Sequence, residues 1–433
     1  MTPATLCRAA VLAVAAGCAT AAGAADADAD WRDAIDNRGS LRADGWSGSR
    51  QLDDAGAIGA ASLWDRLRWD GAGAGQAVAS GWLRAETSGA AGSPTPPHAR
   101  LRELYWRGDL GPLDLTVGRQ MPAWGRADGL NPTDQLSPRD FTLLAPEDGD
   151  LRHGNQAIRL AWNHDSLGEF SAMWFPKGAS HRMPLQRRPG LDYRRDPLPG
   201  GSQTALKWEF AGAGSDGSLS WFDGIDPMPD LVPGSLSASG LTVAERNARE
   251  RVLGADFSAA GDGVVWRAEA AWTRTPSQGG EDFTHKKPQL WMVAGPEWSL
   301  GEWTLGTQLT LRRVFGWRSP DGIADPIARE VARAQSALSN QVSATQTGFT
   351  VRLARRAFND TLLAETSAVV LRAGPPGDNS QALSGLWRGK LDWAVDDHWN
   401  LAAGFDHPFG PGVSFFGLLR DNRVAYVQLR RSL

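Results

Sequence analysis

About eighteen stretches of this 433-residue chain place apolar side chains at every second position, and the connections between them are short and long in turn. Short connections fall near 70–75, 108–112, 164–169, 211–217, 259–263, 299–302, 358–361 and 395–398. Long ones fall near 87–98, 120–154, 176–202, 223–245, 275–288, 317–346, 372–382 and 406–422. Successive side chains on a strand point to opposite faces, so each stretch has one oily and one polar face. In 303–312, Trp303, Leu305, Leu309 and Leu311 oppose Thr304, Gln308, Thr310 and Arg312. In 383–395, Leu383, Trp387, Leu391, Trp393 and Val395 oppose Ser384, Arg388, Lys390 and Asp392. The same holds for 156–162, 203–210 and 264–273. A soluble sandwich also alternates, but it has no reason to sort its loops by parity. A membrane barrel does, with short turns on the periplasmic side and long loops outside. The expected fold class is therefore all-β: a transmembrane antiparallel β-barrel of about 18 strands, with 16 and 20 as the even-numbered alternatives. Lipid leaves no backbone N–H or C=O unpaired, so the first strand, near 38–51, must close on the last, near 423–433.

The ends of the chain agree with that address. Residues 1–24 carry one charge, Arg8, an apolar run from Ala9 to Ala16 and a small-residue site at Ala22-Gly23-Ala24, the pattern of a secretory signal. Ala15-Ala16-Gly17-Cys18 offers a competing lipoprotein-type site without the usual Leu. Residues 25–37 are read as a periplasmic lead-in and 38–433 as the barrel. Both cysteines, Cys7 and Cys18, lie in the signal, so a mature chain has no disulfide scaffold, thiolate zinc site or cysteine nucleophile. The 45 basic and 49 acidic residues nearly balance, which excludes the electrostatic footprint of a nucleic-acid binder. A mean hydropathy of −0.34 suits a barrel, where only the lipid-facing half of each strand is apolar. Many of the 20 tryptophans stand at the ends of oily rows, among them Trp64, Trp82, Trp162, Trp208, Trp272, Trp303 and Trp399. Indole favours the membrane–water interface, where its ring and its N–H are both satisfied.

The alternation breaks longest at 120–154, where Arg, Asp and Pro crowd together. Prolines 122, 132, 138 and 146 stiffen this stretch and lower the entropy lost on fixing it. Arg126, Asp128, Asp134, Arg139, Asp140, Glu147, Asp148 and Arg152 can pair with one another or with wall charges. The expectation is a constriction loop folded into the lumen, with an extracellular cap as the alternative. The charges expected on inward rows are mixed. Arg119, Arg159, Lys207, Arg267, Arg312 and Lys390 are the basic candidates for lining the lumen, beside Arg107, Arg352, Glu103, Glu209, Glu269 and Asp392. They form either a ladder of solvated ion pairs or a path for anionic or zwitterionic solutes.

Residues 117–152 also carry Gly118-Arg119-Gln120, Trp124-Gly125 and Asn131-Pro132 followed by Asp134, Leu136, Pro138, Arg139 and Asp140. This resembles an uncharacterised family of Gram-negative outer-membrane, porin-like barrel proteins with G-R/K-Q, W-G and N-P-x-D-x-L-x-P-R-D. The resemblance implies an outer-membrane barrel associated with an export system. It supplies no substrate. The expected function is passive passage of small polar or amphipathic solutes, or the outlet of an export route. A sealed scaffold barrel is the alternative. The partners implied are outer-membrane lipids and lipopolysaccharide, barrel assembly machinery and an inner-membrane transporter system, with no cofactor.

Other chemistry is thinly supplied. Seven histidines all fall in or beside expected turns and loops, and His164 with Ser166 is the nearest local pair, better explained by turn chemistry than by a hydrolase. Asp26, Asp28, Asp30 and Asp33 alternate with other residues but lack a calcium-loop glycine. Within 317–346, Asp325 and Pro326 open a helical pattern of Ile327, Val331, Ala334 and Leu338, expected to pack on the barrel rim.

Overall fold

The computed structural model describes residues 34–48, 56–71, 73, 75–88, 93–185, 190–238, 240–277, 279–372 and 383–433. The expected signal at 1–24, and residues 25–33 of the lead-in, lie outside them. Eighteen strands form a closed antiparallel barrel. They are β1 Ile35–Gly48, β2 Ala57–Gly71, β3 Gly75–Ser88, β4 His98–Leu110, β5 Leu113–Gln120 and β6 Asn155–His164. Then come β7 Gly168–Phe175, β8 Gln203–Gly212, β9 Ser215–Ile225, β10 Arg249–Gly261, β11 Val264–Arg274 and β12 Gln289–Leu300. The circuit is completed by β13 Trp303–Val314, β14 Thr345–Ala357, β15 Leu362–Arg372, β16 Leu383–Ala394, β17 Trp399–Phe409 and β18 Val424–Ser432. Each strand pairs with its sequence neighbour. The first pairs with the last, from Ser40↔Ser432 to Gly48↔Val424, which removes both edges.

Short turns and long loops segregate to opposite ends as the rhythm requires. The turn between β10 and β11 is Asp262-Gly263, with φ of 50° and 77°, the left-handed pair that matches the twist of a hairpin. Two differences from the expected layout stand out. The first strand starts at Ile35 rather than near 38 and ends at Gly48 rather than near 51. The stretch near 223–245 is also not plain loop: Asp230–Ser237 and Gly240–Arg246 form a hairpin, which Leu191–Arg195 joins in parallel.

The outward rows carry the oil. Leu309, Trp266, Leu391 and Leu253 are among the most exposed large apolar side chains, each more than half exposed, as a lipid-facing belt demands. On the short-turn side Trp162, Phe170 and Trp208 stack across β6, β7 and β8 with centroids 5.7 and 5.8 Å apart, part of an aromatic girdle. Trp64 and Trp82 are corrections to the girdle reading. Both are buried on inward rows, 5.9 Å apart, with the Arg42 guanidinium 4.3 Å above the Trp64 ring. The Trp64 ring is met by two cations, Arg42 and Arg102, and the Trp82 ring by His98 edge-on at 5.2 Å, rather than by lipid headgroups.

At the long-loop end, helix α1, Pro326–Leu338, is capped as expected, the Asp325 carboxylate accepting from Ala328 N–H at 2.7 Å. It buries Val331 and Leu338 against Leu231, Val243, Met183 and Leu185, so the loops have a small apolar core of their own. Ile327 faces out. The Gln335 amide locks the helix to the hairpin, donating to Asp230 and accepting from Leu231 N–H.

Candidate functional site

The connection between β5 and β6, residues 121–154, lies inside the barrel. On one side it meets β8 to β11, and there the Arg126 guanidinium pairs with the Asp216 and Asp256 carboxylates and lies 3.5 Å from Glu209. Asp128 accepts from Arg267 of β11 at 3.1 Å. Towards the opposite wall, Glu147 pairs with Lys390 and Asp148 with Arg388 at 2.6 Å, both on β16. Asp150 accepts from Arg42 of β1 at 2.6 Å. One loop thus reaches strands on both sides of the circuit, which only a course through the lumen allows.

Two devices anchor it. The first is a carboxylate inside a turn of backbone: Glu269 of β11 accepts from Arg126 N–H (3.1 Å), Ala127 N–H (3.2 Å), Thr133 N–H (2.7 Å) and the Thr133 hydroxyl (2.8 Å). Buried backbone donors must find acceptors, and a charged acceptor makes strong bonds. The wrap requires Gly125, whose φ is +92° and whose missing Cβ would sit 2.6 Å from a Glu269 oxygen. The second device is apolar. Trp124 and Leu136 are buried against inward Ala157, Met173, Phe175, Ala205, Phe222, Val252 and Ala271. That patch of the inner wall is oily because the loop covers it.

Within the loop, Asp134 accepts from Arg139 at 2.9 Å and from Arg152 at 2.5 Å. Asp140 pairs with Arg100 of β4 at 3.0 Å and with Arg182 at 3.3 Å, and also accepts from Thr142. Burial opposes the Asp140 charge, but Thr142 and the two arginines outweigh it and hold its pKa below the usual carboxylate range. For Arg126, burial is likewise outweighed, by Asp216 and Asp256, and its pKa is raised. All eight charged loop residues singled out in the sequence therefore have ion-pair partners, in separate clusters along the loop. Residues the sequence did not single out are partners in the wall and loop: Arg42, Asp150, Asp216 and Asp256.

Arg159, Lys207, Arg267, Arg312 and Lys390 stand on inward rows. Arg159 pairs with Glu169, Lys207 with Glu209 at 2.9 Å, and Arg267 with Glu297 at 3.2 Å. Arg312 differs, donating to the carbonyls of Ser339 (3.0 Å) and Asn340 (2.9 Å) just past α1, with its guanidinium 4.1 Å over Trp291. Arg119 is the correction. It shares the parity of Leu115 and exposed Val117 on β5, whereas buried Thr116 and Gln120 point inward, so it belongs to the outward row. It donates to the Arg102 carbonyl at 3.3 Å. The G-R-Q stretch misleads because the loop starts just after it, and the strand's phase is set by the residues before it.

Two cavities of mixed polar and apolar lining flank the loop. The larger, about 770 Å³, lies between Pro146–Asp148 and the wall of Arg352, Arg388 and Lys390. The smaller, about 490 Å³, is lined by Arg139, Arg152, Lys287, Trp291 and Arg312. Both have the size of small-molecule sites. Among the described residues no group of three or more His, Asp or Glu side chains is placed to hold a metal ion. His164 and Ser166 close an exposed turn, the Ser166 N–H donating to His164 Nδ1 at 3.3 Å.

No family model and no curated protein sequence matches the chain. Solved structures do. OccAB1 of Acinetobacter baumannii superposes with a TM-score of 0.58 at 8% identity, covering 92% of this chain and 96% of that one. The shared property is the barrel. OpdK of Pseudomonas aeruginosa, solved with vanillate, gives 0.57 at 9% identity over 93% of this chain and 99% of that one. A BenF-like porin from Pseudomonas fluorescens gives 0.56 at 11% identity, over 92% and 98%. At such identities the likeness is one of fold.

Proposed function

We propose that this chain is an outer-membrane channel for the passive passage of small polar or amphipathic solutes, with residues 121–154 as its constriction. The observation that carries this reading is the loop tied across the lumen between two cavities lined by both charged and apolar side chains, since pore-lining charge and the narrowest point set what passes. Transport needs no reaction, so the residues act by position. Glu269 and the Trp124–Leu136 anchor fix the loop, and its acids neutralise wall cations on both sides. The same geometry serves as the outlet of an export route, with an inner-membrane transporter as partner. OpdK was solved with vanillate, which makes a small aromatic carboxylate a natural first probe. Here Arg312 and Trp291 would meet its carboxylate and its ring. A sealed scaffold barrel is the second reading, favoured by the number of walls to which the loop is tied.

Planar-bilayer recordings separate them. A channel gives discrete conductance steps, and deletion of 128–148 enlarges them. A sealed barrel gives no steps in the wild type and no swelling of liposomes in sugars.

A further inference from the structure

The outward rows end, on the long-loop side, in a cluster of arginines. In the register of β10 and β11, Arg251 stands directly opposite Arg274. Both are on outward rows, one step above Leu253 and Trp272, and both are exposed. Two strands further round, Arg313 occupies the outward row of β13 above Leu311 and Leu309. Arg249 precedes Arg251 by one outward position. One outward carboxylate serves this group: Asp223 accepts from Arg249 at 2.8 Å and from Arg251 at 2.7 Å. Among the described residues Arg274 and Arg313 form no ion pair, and Arg313 donates to the Thr345 hydroxyl at 2.6 Å. The opposite rim is managed differently. Its outward arginines lie over rings, Arg355 on Trp303 and Arg431 on Trp399, and Arg355 also pairs with Glu302.

Like charges directly opposite on neighbouring strands are destabilising; Asp223 compensates Arg251, but Arg274 opposite it has no carboxylate partner among the described residues, so the cluster favours an anion from outside the chain. Its height selects the source. The guanidinium groups stand at the top of an oily belt, where a tryptophan marks the interface and long cationic side chains reach for headgroups. Arginine matches phosphate with paired N–H donors. Arg313 faces Leu290, which faces Trp272, so it stands two strands from Arg274 and two residues lower, roughly 12 Å away at about 4.8 Å per strand and about 3.3 Å per residue. We infer that the β10–β13 rim is a binding site for the phosphorylated headgroup of an outer-leaflet lipid, the chemistry of lipopolysaccharide. Arg251, Arg274 and Arg313 hold its phosphates, and Leu253 and Trp272 lie against its acyl chains. This site is on the outer wall and independent of what the lumen passes.

The test uses the full barrel in phospholipid nanodiscs, titrated with lipopolysaccharide and with the same lipid after phosphatase treatment, and read by native mass spectrometry. Folding of every variant is checked by heat-modifiable gel migration. The wild type should retain the phosphorylated lipid, and R274Q/R313Q should retain about tenfold less, with R274K/R313K in between, as the loss of charge-assisted phosphate contacts requires. R355Q/R431Q, on the other rim, should bind as the wild type does. Equal retention by folded R274Q/R313Q, equal binding of the dephosphorylated lipid, or displacement by millimolar inorganic phosphate would each overturn the assignment.

Discussion

Gly125 and Glu269 show how one side chain can anchor a loop of 34 residues. Four donors converge on the Glu269 carboxylate, and a Cβ at Gly125 would collide with it. Gly125→Ala should therefore free the loop without harming the barrel, because its strands are stabilised by their own ladders. The expected result is larger and noisier conductance steps, with unchanged heat-modifiable migration. Glu269→Ala should do the same by leaving the loop's N–H groups without their acceptor, each costing about 1–3 kcal/mol. Packing residues in the loop core act locally: Leu338→Ala should cost about 2–5 kcal/mol. That loss should appear as faster amide exchange across Pro326–Leu338 and slow exchange still in β1 to β18.

At the scale of elements, the 121–154 loop meets the connection after β7 at an acid-sensitive joint. His181 Nδ1 accepts from the Arg139 N–H at 2.9 Å, and its ring meets Phe141 edge-on. Burial, then the charges of Arg139 and Lys286, push its pKa down to about 3; burial, then Arg100 and Arg119, push His153 to about 4. Both stay neutral in the folded protein, while the unfolded chain protonates them near the ordinary histidine value of about 6.5. Their contribution is intact above about pH 6.5 and is lost as pH falls towards 4 and 3. Conductance should thus grow unstable between pH 5 and 4, and His181→Asn, which keeps an acceptor but cannot titrate, should reduce that change. The loop was recognisable in the sequence as the longest break in alternation, with its prolines and its charges. Its course was not, because Arg126 and Asp256 are 130 residues apart. The inward oily patch that receives Trp124 was equally hidden: Phe222 and Val252 read as ordinary strand hydrophobics until the loop is seen to cover them.

For the whole molecule, the lumen is a set of paired charges rather than a basic wall. Lys390 and Arg388 are matched by Glu147 and Asp148 from the loop, in addition to Asp392 and Asp406 from the strands. The wild type should show weak ion selectivity. E147Q/D148N should move the reversal potential in a salt gradient towards anions, since it leaves both wall cations less compensated. No shift in that folded variant would place the permeation path elsewhere.

Alternation with a period of two, loop lengths sorted by parity and the crowding of 120–154 are local properties, written in consecutive residues. They sufficed for a closed membrane barrel of about eighteen strands, for its two faces and for the position of its longest loop. Row parity within a strand was legible wherever the alternation was clean, and failed at Arg119, where the strand gives way to the loop, and at Trp64 and Trp82, whose rings suit either face. What only the tertiary structure decided is which distant charges meet: Glu269 with the Gly125–Thr133 turn, Asp150 with Arg42, and Arg251 with Arg274 across a register. Those contacts depend on closure and on strand stagger, which set distances between residues that no sequence spacing relates.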